Sequence, residues 1–263
     1  MLIDRTPTHR DPIRDAPLRE PGQSLRDLVQ NQFFDVLVPW LAISVMMLLL
    51  AAAEWLRWVF NDQFRPWLLT LVAFGTAALG AWRVYRAYQQ LATGKLGLKG
   101  EKYVGQYLQA NLLPRGYHVI HDICIDDFNV DHVVIGPGGV FAVEVKTRSK
   151  PQRGDVRVTF VGERLLVNGQ APDRDPIVQA RAGAKRIEEI LGRYSGRDVR
   201  VRPVVIFPNW FVEPRPSGLA TWVLNEKAFI GFIDREPQSL SREDSRMLAE
   251  SLARYVRDKF DKA

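Results

Sequence analysis

One cysteine, Cys124, occurs in the 263 residues. That excludes an intramolecular disulfide and suits a reducing compartment. Histidine is scarce too, at four residues. His118, His121 and Cys124 lie close in sequence, but on a strand His121 faces away from the other two, and a fourth ligand is missing. A zinc centre is therefore not expected. No Gly-Lys-Ser or Gly-Lys-Thr loop is present, which argues against an ATP-driven activity. Gly136-Pro137-Gly138-Gly139 joins two strands, not a strand and a helix, so it reads as a turn and not as a phosphate cradle.

Charge is missing from two long stretches. Residues 36–53 contain none in 18 positions, and residues 66–82 none in 17. Each is near the roughly 20 residues that cross a bilayer as a helix. Trp40, Trp55, Trp58, Trp67, Trp82 and Tyr85 stand at or near their ends, as in an aromatic belt. The expectation is a transmembrane helical hairpin over 33–88, with helices at about 36–58 and 66–86. Arg83, Arg86, Lys95, Lys99 and Lys102 follow the second stretch, whereas the connecting loop balances Arg57 and Arg65 against Glu54 and Asp62. That bias places both termini and the following domain in the cytoplasm, on a plasma or bacterial inner membrane. Residues 1–32, rich in Pro, Arg and Asp, read as a disordered tail.

The sixteen residues 131–146 carry the chemistry: D-H-V-V-I-G-P-G-G-V-F-A-V-E-V-K. An Asp opens an apolar strand, a Gly/Pro turn reverses it, and a second apolar strand ends in Glu-x-Lys. With Pro137 and Gly138 at the centre of the turn, Ile135 faces Val140, Val133 faces Ala142, and Asp131 falls opposite Glu144. Lys146 lies two residues on, hence on the face of Glu144. Opposed carboxylates repel unless a cation lies between them. All-oxygen ligands favour Mg²⁺ or Mn²⁺. This pattern points to a metal-dependent nuclease core. Arg148, Lys150, Arg153, Arg157 and Arg164 follow closely, against only Asp155 and Glu163, and suit a polyanionic substrate.

Residues 95–263 read as one α/β domain with 27 Lys plus Arg and 22 Asp plus Glu, a net charge of +5. A helix is expected over 101–113, ended by Pro114 and Gly116. Strands follow at 117–125, 130–135 and 140–147, then a hairpin over 156–161 and 164–167. A helix over 176–191 carries Ile177, Ala180, Ala184, Ile187 and Leu191 on one face. A strand over 199–207 and a short one at Trp222-Val223 come next. Ser241 caps a final amphipathic helix over 241–260, with Asp244 at the capping-box position.

These residues resemble the nuclease-related domain (NERD) family of the PD-(D/E)xK nuclease superfamily. The match rests on Gly100-Glu101, Gly116-Tyr117, Asp131-His132, Gly136-Pro137-Gly138-Gly139, Val143-Glu144-Val145-Lys146 and Gln179, and covers about 95–210. The resemblance implies a restriction-endonuclease-like α-β-β-β-α-β core, a mixed sheet flanked by helices, and Mg²⁺-dependent phosphodiester hydrolysis. It further implies that Asp131, Glu144 and the carbonyl of Val145 hold the metal, and that Lys146, Glu101 and Gln179 complete the catalytic set. The superfamily's Pro is absent, since Val130 precedes Asp131. The expectation is a membrane-anchored nuclease acting on nucleic acid, DNA in particular; the alternative is a non-catalytic nucleic-acid-binding or scaffold module of the same fold.

Overall fold

The computed structural model describes residues 20–60, 66–125, 128–150, 157–161, 164–214 and 219–260. The chain divides into two compact units. One holds Gly22–Gly100 with Thr147–Ser149, and the other holds Glu101–Lys146 and Lys150–Ala263.

In the first unit, helix α1 (Gln23–Val59) is followed by the opening part of α2 (Pro66–Leu112). The two helices touch at small and polar residues. A Cβ on Gly80 would come 3.0 Å from Ser44 Oγ, so the glycine admits the close approach. The Trp55 indole N–H donates to Thr70 Oγ1 at 2.8 Å, and the Arg83 guanidinium lies 4.8 Å from the centre of the Trp40 ring. Both helices are long and apolar enough to cross a membrane. Helix α1 begins at Gln23, inside the segment read as tail, and residues 1–19 lie outside those described.

The second unit is built on a five-stranded mixed sheet. Strands β1 (His118–Ile125), β2 (Phe128–Gly136) and β3 (Gly139–Val145) form an antiparallel meander. Strand β6 (Val201–Ile206) then pairs parallel to β3, and β8 (Trp222–Leu224) parallel to β6, giving the order β1-β2-β3-β6-β8. A second sheet, β5-β4-β7, uses the expected hairpin β4 (Arg157–Val161) and β5 (Arg164–Val167), and adds β7 (Phe211–Val212).

Helices cover both faces of the large sheet. On one side Ala184, Ile187 and Leu191 of α3 (Pro176–Ser195) and Leu248, Leu252 and Val256 of α5 (Arg242–Phe260) pack on Val133, Ile135, Val140 and Ala142. On the other, Val104, Leu108 and Leu112 of α2 and Phe229, Ile230 and Ile233 of α4 (Glu226–Ile233) pack on Val134, Phe141, Val143 and Val145. Alternation along β2 and β3 thus feeds two cores, as a sheet buried on both faces requires. Helix α3 starts where Asp175 accepts from the Ile177 N–H at 2.8 Å and Pro176 occupies the first turn.

The hairpin register matches the expectation: Gly136 pairs with Gly139, Ile135 with Val140 and Val133 with Ala142. Gly136 is required by packing, since a Cβ there would lie 2.1 Å from Tyr117 Cδ1. Tyr117 is buried and its hydroxyl accepts from the Gly138 N–H at 3.1 Å. Gly136→Ala is therefore expected to cost about 1–3 kcal/mol of folding stability in urea titration; an unchanged midpoint would show that the tyrosine yields freely.

Candidate active site

The site forms where β2 begins and β3 ends. The β2–β3 ladder runs as far as His132 opposite Val143, and the next positions in the same register are Asp131 and Glu144. The Asp131 carboxylate accepts from the backbone N–H of Val145 at 2.7 Å, which ties the start of one strand to the end of the other. Lys146 continues from β3, with its backbone N–H donating to the Ile206 carbonyl at 2.9 Å. Its ammonium meets Glu144 Oε1 at 2.6 Å, and both side chains are only partly exposed.

Glu101, in α2, acts on the same cluster. Its pKa is pushed from 4.5 up to about 7, first by burial, then by the charges of Asp122 and Glu144, with Lys146 opposing. The Asp131 carboxyl is also held well above the ordinary range, by burial and then by Glu144 and Glu101; the Val145 N–H and Lys146 work the other way. Glu101, Asp131, Glu144 and Lys146 therefore feel one another as one cluster, with negative charge in excess of the one ammonium.

A Cβ at Gly100 would come 1.7 Å from Thr147 Oγ1, one residue past Lys146, so only glycine allows the backbone there. Gln179 lies on α3, one turn before Gly183, where the missing side chain makes room for Val130 and Phe128 at 3.3 and 3.4 Å. Its Oε1 is buried with no hydrogen-bond partner. A buried acceptor of this kind calls for a water or a ligand.

Asp122 was not expected. It is 1% exposed and adopts φ 53°, the left-handed region, in the middle of β1. Its position in the β1–β2 register lies opposite Asp131, between the pairs His121–His132 and Ile123–Val130. The inside–outside alternation slips in both strands here. Ile120 and Ile123 of β1, and Val130 and Val133 of β2, all face the α3–α5 core with two residues between them. Because both strands slip together, the register survives while the side chains around Asp131 are re-aimed. The Asn129 side-chain amide donates to Asp122 Oδ1 at 2.9 Å and holds the distortion. A strained, buried aspartate beside a carboxylate cluster is the kind of outlier that functional sites retain. Asp122→Asn, which tolerates the left-handed backbone, should fold normally, whereas Asp122→Val should lose about 1–3 kcal/mol by chemical denaturation. Equal stability of the two variants would contradict this role for the backbone.

The slip also buries two histidines. His121 and His132 are 5% and 0% exposed, and their Nδ1 atoms approach to 3.0 Å, so one ring donates and the other accepts. Burial lowers their pKa values to about 4 and about 3, and both rings are neutral near pH 7. His118 and Cys124 take no part in this contact.

The basic run is only partly described. Arg148 is exposed, Lys150 donates to the Asn209 carbonyl at 2.5 Å, and Arg157 is exposed at the start of β4. Arg153 lies outside the described residues. The Asn209 turn is anchored by the buried Glu226, whose Oε2 accepts from the Asn209 N–H at 2.9 Å and whose Oε1 accepts from Tyr103 at 3.2 Å.

A five-stranded mixed sheet flanked by helices, with a carboxylate–lysine cluster at the strand ends, defines a nuclease-like α/β core. Residues 96–208 match the nuclease-related domain family, NERD, and that part of the chain is a nuclease-related domain. No curated protein and no solved structure matches the chain.

Proposed function

We propose that the chain is a membrane-anchored, divalent-metal-dependent nuclease that hydrolyses phosphodiester bonds, with DNA as its substrate. The observation that carries this reading is the placement of Asp131, Glu144 and Lys146 at adjoining strand ends with Glu101 beside them. Among the described residues no three His, Cys, Asp or Glu side chains stand at the spacing of a ready-made metal shell. The donor chemistry nevertheless fits a hard cation: burial first, and the neighbouring carboxylates second, raise the pKa of Asp131 and Glu101, and a dication among them would favour their charged forms. Asp131, Glu144 and the Val145 carbonyl would hold Mg²⁺ or Mn²⁺. When bound, the ion supplies an acidified water and charge neutralisation at the phosphoryl oxygens.

The chain's own groups do the rest. Lys146, released from Glu144, orients the attacking water or the phosphate. Glu101, poised near neutral pH, accepts or returns a proton. Gln179 offers its unsatisfied Oε1 as an acceptor for that water. Arg148, Lys150, Arg153 and Arg157 contact the backbone phosphates.

Helices α1 and α2 supply the anchor. Leu49, Leu71 and Phe74 are 63%, 69% and 67% exposed, which a soluble core helix would not tolerate and a lipid environment would. Both termini and the nuclease domain then lie in the cytoplasm. The test uses the full chain in detergent micelles with labelled DNA and RNA. Cleavage in Mg²⁺ or Mn²⁺ that stops in EDTA supports the proposal. Binding without cleavage under any of these ions would favour the non-catalytic scaffold instead.

A further inference from the structure

A concavity lies at the opposite end of the large sheet from the carboxylates. It is about 820 Å³ in volume and is lined by Arg181 and Lys185 of α3 and by Arg200 and Arg202 at the start of β6. Val140 pairs with Val201 at this end, while Glu144 pairs with Val205 at the other. Four residues of strand, about 13 Å, separate the two places.

The two acids on its wall are already committed. Glu188 accepts from the Val201 N–H at 2.8 Å, and Glu236 pairs with Arg202 at 3.3 Å. Lys185 and Arg200 are exposed, and neither forms an ion pair among the described residues. Arg181 spends its Nε on Thr221 Oγ1 at 3.0 Å and keeps its terminal nitrogens for another acceptor. Lys185, Arg200 and Arg181 line this cavity together with Arg202, so its four cations outnumber its two carboxylates.

A second chamber of about 470 Å³ shares Arg202, Leu219 and Glu236 with the first and is floored by Trp222 and Phe232. The Arg202 guanidinium lies 4.6 Å from the centre of the Trp222 ring, and Phe232 meets that ring edge-on at 5.3 Å. A guanidinium backed by an indole and fixed by Glu236 is a flat platform on which a planar ring stacks. Cationic and aromatic chambers meet at one arginine, and both volumes fall in the range of small-ligand pockets.

We propose that this double chamber binds a nucleoside phosphate, with the phosphates against Arg181, Lys185 and Arg200 and the base against Arg202 and Phe232. The site is separate from the carboxylate cluster and does not depend on cleavage there.

The test is calorimetric titration of the full chain in detergent micelles, with EDTA present so that cation binding at the carboxylates makes no contribution. ATP and GTP are compared with adenosine, guanosine and inorganic phosphate. At least one nucleotide should bind one per chain, at least 10-fold tighter than its nucleoside or phosphate alone. Lys185→Ala combined with Arg200→Ala should weaken that binding at least 10-fold without moving the unfolding temperature, because both side chains are exposed. Arg202→Lys, which keeps the charge but not the plane, should reduce the preference for nucleotide over phosphate. Phosphate binding as tightly as nucleotide, no nucleotide binding, or nucleotide affinity unchanged in the double variant would each overturn the proposal. Loss of duplex DNA binding in that variant, with nucleotide affinity intact, would assign the groove to nucleic acid.

Discussion

Glu144→Ala is expected to lower the rate of nucleic-acid cleavage at least about 100-fold while the protein stays folded. Glu144 follows the Val143–His132 pair, in register with Asp131, and holds the Lys146 ammonium at 2.6 Å, so its loss frees the lysine and, under the proposed function, also takes away a ligand of the cation. The fold should tolerate the change, because Lys146 is partly exposed and can turn to water. Lys146→Ala should lose a similar factor in rate, with a different side effect. Lys146 is the group whose charge lowers the pKa of both Glu101 and Asp131. Without it both carboxyls stay protonated to higher pH, and the pH profile of any residual cleavage should move upward. The check is initial rate against pH for labelled DNA, together with the unfolding temperature of each variant. Wild-type rates in both variants would remove this pair from the chemistry.

The second large effect is a coupling between pH and divalent cation. Glu101 has a folded pKa of about 7 against an ordinary 4.5, so its protonated form favours the folded state. That contribution is fully present below the unfolded value and is lost as pH rises through about 7. The shift corresponds to about 3 kcal/mol, and the raised Asp131 acts in the same direction. In EDTA, this contribution should therefore be lost between about pH 4.5 and pH 7, leaving the protein less stable at pH 8 than at pH 6. A dication at the carboxylates replaces the protons, so Mg²⁺ should raise the unfolding temperature by several degrees at pH 8 and by little at pH 6. The buried histidines set the acid limit. Their folded pKa values lie below the ordinary 6.5, so the stability of the neutral pair is present above about 6.5 and drains away as pH falls towards about 4 and about 3. Thermal unfolding across this range checks both arms. A Mg²⁺ effect of equal size at pH 6 and pH 8 would contradict the coupling.

Much of this site was legible because the sequence states it in local terms. A Pro-Gly turn between two apolar runs fixes which residues oppose each other, and that register carries Asp131 to Glu144 without tertiary information. The helix over 176–191 and the closing helix were equally plain, since their apolar residues recur on one face. Three features were not. The second span was expected to end near 86 and a separate helix to run over 101–113, whereas in the structure α2 is one helix that continues through Gly94, Gly97 and Gly100. Helix α4 is eight residues long, too short for a periodic signal, although Asn225 capping the Ala228 N–H was there to be read. The fault at Asp122 was the least accessible. An aspartate in a strand looks like any polar residue on an outer face, and only the simultaneous slip of β1 and β2 reveals that it is buried and left-handed.

Whether the carboxylates hold a cation is the point on which the nuclease reading turns. Electron paramagnetic resonance of Mn²⁺ titrated into the full chain measures it directly. The account predicts bound Mn²⁺ at neutral pH that is abolished by Asp131→Asn and by Glu144→Ala, is displaced by Mg²⁺, and persists in Arg157→Ala. Mn²⁺ that fails to bind, or that binds equally well when Asp131 and Glu144 are replaced, would contradict it.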